Sequence, residues 1–278
     1  MTPALVATPW LGANLAAPGL CLLDCSYYLP NEAADAQALF RAAHIPGARF
    51  ADIDQLSNQT TSLPHMLPQP ADFAAAVAAL GVSRQSHVVV YDQRGLFSAA
   101  RLWWMFRIFG HARVSVLDGG LPGWVAGFGA LEAGTPQPAK PGDFTAVFHG
   151  APVRDLAQML QNLESQAELV LDARPAARFH GTVAEPRAGM RSGHIPGAKS
   201  LPISEVLANG FLLPPEELHE KFAARGAVGT RKLVMSCGSG ITAAVLALAA
   251  EQAGLPTPAI YDGSWSEWGS RDDTPIET

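Results

Sequence analysis

The chain has little of several things. Its 278 residues include only three cysteines, Cys21, Cys25 and Cys237, an odd number without the paired spacing of a zinc site. The expectation is therefore free thiols in a reducing cytoplasm, with no metal. Charged residues make up 16% and leave a formal balance of −6, so a general nucleic-acid binder, which wants a basic surface, is not expected. Any anionic substrate then has to be held by locally placed arginines and backbone dipoles. Although 48% of residues are hydrophobic, no run reaches the roughly 18 unbroken apolar positions of a membrane span. The opening "MTPALVATPWLGANL" lacks the basic segment and apolar core of a secretory signal, and it is not Arg- and Ser-rich like a mitochondrial transit peptide.

What is present is repetition. "RAAHIPGA" at 41–48 returns as "RSGHIPGA" at 191–198, and "LLDCS" at 22–26 answers "VLDAR" at 170–174. "VLDGGLPGW" at 116–124 answers "IYDGSWSEW" at 260–268, and "HVVVYDQRGLFSAARLWW" at 87–104 lies opposite "KLVMSCGSGITAAVLALA" at 232–249. Matches in the same order at nearly constant offset identify a tandem duplication. Three prolines and two glycines in "EAGTPQPAKPGDF" at 132–144 read as a connection. The expected domains are 1–133 and 153–278, joined by a linker over 134–152. Each copy alternates short apolar runs (20–24, 87–91, 113–117; 168–172, 232–236, 258–261) with helix-period stretches such as 71–80 and 242–253. That alternation predicts an α/β fold, a small parallel sheet flanked by helices in each half.

In an open α/β sheet, ligands bind beyond the carboxyl ends of the strands. Cys237 stands at such an end, followed by Gly238, Ser239 and Gly240 and then a helix. Residues in this loop are expected to take positive φ, turning successive N–H groups into one concave cradle beside a helix N-terminus. Such surroundings favour the thiolate. A buried, inert cysteine in a tight turn is the alternative at this point. The first copy has Asp92 where the second has Cys237, with a loop one residue longer. One half therefore reads as reactive and the other as its silent partner. Cys21 and Cys25 lie in or just after a strand without a glycine loop and read as packing. Trp103 and Trp104 read as packing of the helix after the first-copy loop.

Duplicated domains with HIPGA in each, "VLDGG…W" and a cysteine loop in the second copy together resemble the two-domain rhodanese sulfurtransferases over nearly the whole chain. Within that family, "CGSGIT" is similar to the loop of 3-mercaptopyruvate sulfurtransferases, whereas a cysteine followed by charged residues resembles the thiosulfate-using subgroup. The resemblance implies that Arg178 in "RFHG" and Arg187 in "EPRAG" surround the donor's carboxylate and carbonyl. Arginine suits that task through its planar, two-pronged fork. The first copy has no counterpart of this stretch. Arg191, by contrast, is matched by Arg41 in the silent copy and reads as structural. The resemblance also implies a proton relay of Asp54, His65 and Ser239, with the cleft between the two domains, and backbone contacts to sulfur from Gly238, Gly240, Ile241 and Thr242.

The expected chemistry is transfer of sulfur from 3-mercaptopyruvate, through a Cys237 persulfide, to cyanide, a thiol or thioredoxin. No organic cofactor is expected, because the persulfide itself carries the group. Thiosulfate as main donor on the same fold is the nearest alternative, and a non-catalytic sulfur carrier or binding module a more distant one. A cysteine phosphatase would want an arginine six positions after the cysteine, where Ala243 stands.

Overall fold

The computed structural model describes residues 2–127 and 129–278. It resolves into two compact units. The first comprises Met1–Gln59, Leu67–His149 and Asn209–Leu212, and the second Thr60–Met66, Gly150–Ala208 and Leu213–Thr278. No helix among the described residues is long and apolar enough to cross a membrane.

Each unit is built on a parallel five-stranded sheet. The first contains β1 (Leu5–Val6), β2 (Leu20–Asp24), β3 (Arg49–Phe50), β4 (His87–Tyr91) and β5 (Val114–Leu117) in the order β1-β5-β4-β2-β3. The second contains β6 (Val153–Arg154), β7 (Glu168–Asp172), β8 (Lys199–Ser200), β9 (Lys232–Ser236) and β10 (Ala259–Tyr261) in the matching order β6-β10-β9-β7-β8. The central pairs have equivalent registers, Asp24 opposite Tyr91 and Asp172 opposite Ser236. The long strands are runs such as "HVVVY" and "KLVMS" whose interior side chains are buried, as strands covered on both faces require. The helices after the two central strands, Ala99–Ile108 and Ile241–Gln252, are buried along most of their length. Alanines in the second let its backbone lie close to the sheet. Trp103 and Trp104 are buried, as their place on the first of these helices predicts, with Arg107 and Arg101 over their respective rings.

HIPGA forms the same clasp in both copies. His44 Nδ1 bonds the Phe40 carbonyl at 2.8 Å and the ring stacks on Phe40, while His194 Nδ1 bonds the Phe179 carbonyl at 2.9 Å and stacks on Phe179. Both histidines exchange backbone bonds with a glutamate, Glu132 or Glu277, whose carboxylate then accepts from the N–H of Gly47 or Gly197. The clasping histidine is four residues beyond its phenylalanine in the first copy and fifteen beyond in the second. The extra chain holds Glu185 and Arg187 and leaves the clasp intact.

The strand ends differ between the copies in one electrostatic respect. Asp24 is fully buried and accepts from Ser26 N–H, Ser26 Oγ–H and Gln93 Nε2. Burial is the main cause that pushes its carboxyl above the usual aspartate value. Its counterpart Asp172 is paired with a buried arginine, Arg174. A raised folded-state pKa means the native protein binds more protons than the unfolded chain, so this group's contribution to stability falls as pH rises from about 4. Asp24→Asn should flatten that slope, read as the urea midpoint at several pH values between about 4 and 7. An unchanged slope would show that Asp24 does not titrate abnormally.

Candidate active site

Cys237 follows β9 directly and is buried with its sulfur turned into its own loop, where the Gly240 N–H points at Sγ from 3.1 Å. The expectation of positive φ across residues 238–240 is corrected in part. Of these residues only Gly240 is left-handed, at φ 79°, and this single reversal brings the chain into the helix at Ile241. A helix's first N–H groups have no intrahelical acceptor, so those of Ile241, Thr242 and Ala243 are the natural continuation of the cradle.

The silent copy shows what such a cradle holds. Asp92 takes the place of Cys237, and its carboxyl accepts from the N–H groups of Arg94, Phe97, Ser98 and Ala99 at 2.7–2.9 Å. A resident carboxyl group thus fills the first copy's cradle, at the same strand–helix junction where the second copy carries a sulfur. The other two thiols are placed otherwise. Burial raises Cys25 well above an ordinary thiol, reinforced by Asp92 and Asp24, and burial also raises Cys21.

Ser239 and His65 meet. His65 Nδ1 lies 2.7 Å from Ser239 Oγ, with both side chains buried. His65 comes from the first half of the sequence, yet residues 60–66 belong to the compact unit that carries Cys237. Its φ is 60°, a left-handed value uncommon among residues other than glycine. Asp54 lies in the first unit on an exposed turn, its N–H bonded to Asp52 Oδ1 at 3.0 Å.

Arg178 reaches the cysteine loop, since a Cβ on Gly238 would stand 3.1 Å from its Nη2. It is held there by Glu185, which accepts from Arg178 Nε and Nη2 on one oxygen and from Arg174 Nη1 at 2.7 Å on the other. Arg174 in turn grips Asp172 through Nε and Nη2, donates to the Gly193 carbonyl and lies 4.3 Å over the Trp265 ring. Burial works against its charge, but Asp172 and then Glu185 outweigh that, and its pKa is raised. The alternating chain Asp172, Arg174, Glu185, Arg178 carries charge from the end of β7 to the cysteine loop. Sequence reasoning missed Arg174 and Glu185. The available signal was two acids and two arginines within fifteen residues, which reads equally well as a solvated surface. Arg187 is half-buried on the inserted stretch. Arg191 bonds the carbonyls of Trp268, Gly269 and Thr274, which is the structural placement the sequence suggests.

The rhodanese-like domain family matches the chain twice, over residues 7–127 and 153–271. The human 3-mercaptopyruvate sulfurtransferase is 45% identical over 275 residues, covering 96% of this chain and 92% of the human one. Bovine thiosulfate sulfurtransferase is 42% identical over 283 residues, covering 99% and 94% respectively. The crystal structure of SseA from Escherichia coli, a 3-mercaptopyruvate sulfotransferase, superimposes with a TM-score of 0.87 at 40% identity, covering 95% of this chain and 99% of that one.

Removing Glu185 leaves Arg174 buried beside one partner and releases Arg178. Glu185→Ala should therefore destabilise the protein by about 3–5 kcal/mol, the range found when one member of a buried ion pair is deleted. Urea denaturation measures it, and a loss below about 1 kcal/mol would mean the chain of charges is not structural.

Proposed function

The chain belongs to the rhodanese family and is a sulfurtransferase, and from that premise we propose that its donor is 3-mercaptopyruvate and its carrier a persulfide on Cys237. The observation that carries the reading is the cradle, a sulfur at the strand–helix junction with Gly240 N–H on it, in the place where the silent copy keeps a carboxyl group. The donor choice rests on the uncharged loop Gly238–Ser239–Gly240–Ile241 and on Arg178 beside it. Overall identity does not decide it, because relatives named for either donor are about equally similar.

In this mechanism Arg178 and Arg187 hold the carboxylate and carbonyl of the donor so that its sulfur faces Cys237. The Cys237 sulfur anion attacks the donor's thiol sulfur. The S–S bond forms as the C–S bond breaks, and the released electron pair goes to carbon as pyruvate enolate. The proton leaves the donor thiol and returns to the enolate carbon to give pyruvate, and Ser239 with His65 is the route for it. The resemblance gives Asp54, on an exposed turn of the first unit, as the third member of the relay. The outer sulfur, held by the N–H groups of residues 238–242, then passes to a thiophilic acceptor such as cyanide, a thiol or thioredoxin. Thiosulfate is the second reading, because it too can charge Cys237 with sulfur.

Mass spectrometry after mercaptopyruvate treatment should show one added sulfur on Cys237 and pyruvate in equal amount. Cys237→Ser should show neither, and Cys21→Ser and Cys25→Ser should behave as wild type. Sulfur transfer by Cys237→Ser at the wild-type rate would sink the proposal. For the donor, kcat/KM for mercaptopyruvate should exceed that for thiosulfate, and Arg187→Glu should harm the former more, by about a hundredfold. Equal losses on both donors would favour thiosulfate.

A further inference from the structure

The loop that aims the sulfur is held from behind by a turn whose residues differ between the copies. In both copies the strand–turn "DG" is followed by a left-handed residue, Gly120 at φ 51° and Ser264 at φ 49°. The next residue then donates its N–H to the carbonyl of the junction residue. Leu121 donates to Asp92 at 3.0 Å, and Trp265 donates to Cys237 at 2.9 Å. Two of the positions that differ change what the turn can bond. Glycine at 120 becomes serine at 264, and proline at 122 becomes serine at 266.

Each change adds bonds to the cysteine loop. Ser264, fully buried, accepts the Cys237 N–H at 3.3 Å and donates to the Tyr261 carbonyl at 2.9 Å. Ser266 donates both N–H, at 2.8 Å, and Oγ–H, at 2.6 Å, to the Gly238 carbonyl. Proline at the same place in the silent copy has no N–H to give. Serine in a left-handed conformation is disfavoured, whereas glycine is at ease there. In the first copy a Cβ at Gly120 would collide with the carbonyls of Asp92 and Gly95. The shorter loop of the second copy leaves room for one, and the chain uses it for a hydroxyl.

The peptide plane turns these bonds into an aiming device. Across a trans peptide the carbonyl and the following N–H point in opposite directions. With the Cys237 carbonyl bonded to Trp265, the Gly238 N–H faces away from the 264–266 turn. With the Gly238 carbonyl bonded twice to Ser266, the Ser239 N–H does the same.

We propose that Ser264 and Ser266 are positioning residues for sulfur transfer, Ser264 fixing the Cys237 N–H on the strand side of its Cα and Ser266 fixing the Gly238 carbonyl beyond it, so that the loop N–H groups between and after them stabilise the outer sulfur of the persulfide. The inference rests on Cys237 being the carrier, and it concerns the half-life of the charged intermediate rather than recognition of the donor. No bond forms or breaks at either serine.

The test uses the full chain, charged with mercaptopyruvate and freed of excess donor. Loss of the added sulfur from Cys237 is followed by mass spectrometry, alongside kcat and KM. Ser266→Ala and Ser264→Gly should each shorten the persulfide half-life and lower kcat by about threefold to tenfold, the scale of one hydrogen bond, with KM for mercaptopyruvate unchanged. Ser264→Gly keeps a residue suited to the left-handed backbone, as Gly120 demonstrates, so it removes the hydroxymethyl group without straining the turn. Ser266→Thr should restore the half-life. A role confined to folding would lower thermal stability and leave the half-life of the folded protein at the wild-type value, and that result overturns the proposal. So does a rise in KM with kcat preserved. If wild type itself gains no sulfur on Cys237, the failure lies with the carrier assignment instead.

Discussion

A helix that starts at the end of a central strand presents backbone N–H groups with no acceptor of their own, and both halves of this protein are organised around satisfying them. In the first half a carboxyl group does it. Asp92 takes four N–H groups and closes the junction permanently. In the second half the residue offered is a cysteine, whose single sulfur meets Gly240 N–H and cannot satisfy the same set alone. That shortfall is where the proposed persulfide would place its outer sulfur. The duplication therefore supplies an internal control, one cradle filled by the chain and one left for chemistry.

Holding a cradle of dipoles open requires rigidity on every side. Behind it stands the 264–266 turn, bonded to the carbonyls of Cys237 and Gly238. Beside it stands Arg178, fixed by Glu185, itself fixed by Arg174 and Asp172. Beyond it the buried pair Ser239 and His65 adds a hydroxyl and an imidazole within one hydrogen bond of each other. Preorganised donors in a site shielded from water stabilise charge without reorganising when it appears. The buried ion chain also places a cation beside the cysteine loop while offsetting its charge with Asp172 and Glu185.

The added stretch between Phe179 and His194 shows how the catalytic copy was specialised. Its two ends are held by a clasp that the silent copy also makes, so the lengthening leaves the sheet register untouched. New chain inserted at a loop anchored on both sides is tolerated far better than new chain in a strand. Glu185 and Arg187 both lie in it. In the proposed mechanism, donor selection and sulfur stabilisation fall on separate pieces of backbone.

The sequence by itself determined the duplication, the α/β class and the six longer strands, and it singled out Cys237 as a candidate, because each leaves a local pattern: apolar runs, helix periods, repeated words and a cysteine before glycines. The two-residue edge strands escaped it, being too short to show a period, and so did Arg174, Glu185, Ser264 and Ser266. The substitutions of Gly120 by Ser264 and Pro122 by Ser266 are visible when the copies are aligned, but they carry no meaning as letters. Hydrogen bonds to residues 27 and 28 positions away gave them one. Which arginine is buried, which carbonyl is turned outward and which hydroxyl meets which imidazole are properties of side chains brought together from distant parts of the chain. Only packing at fixed distance decides those, since hydrogen bonds and ion pairs act over a few ångströms and a linear sequence records no separation in space.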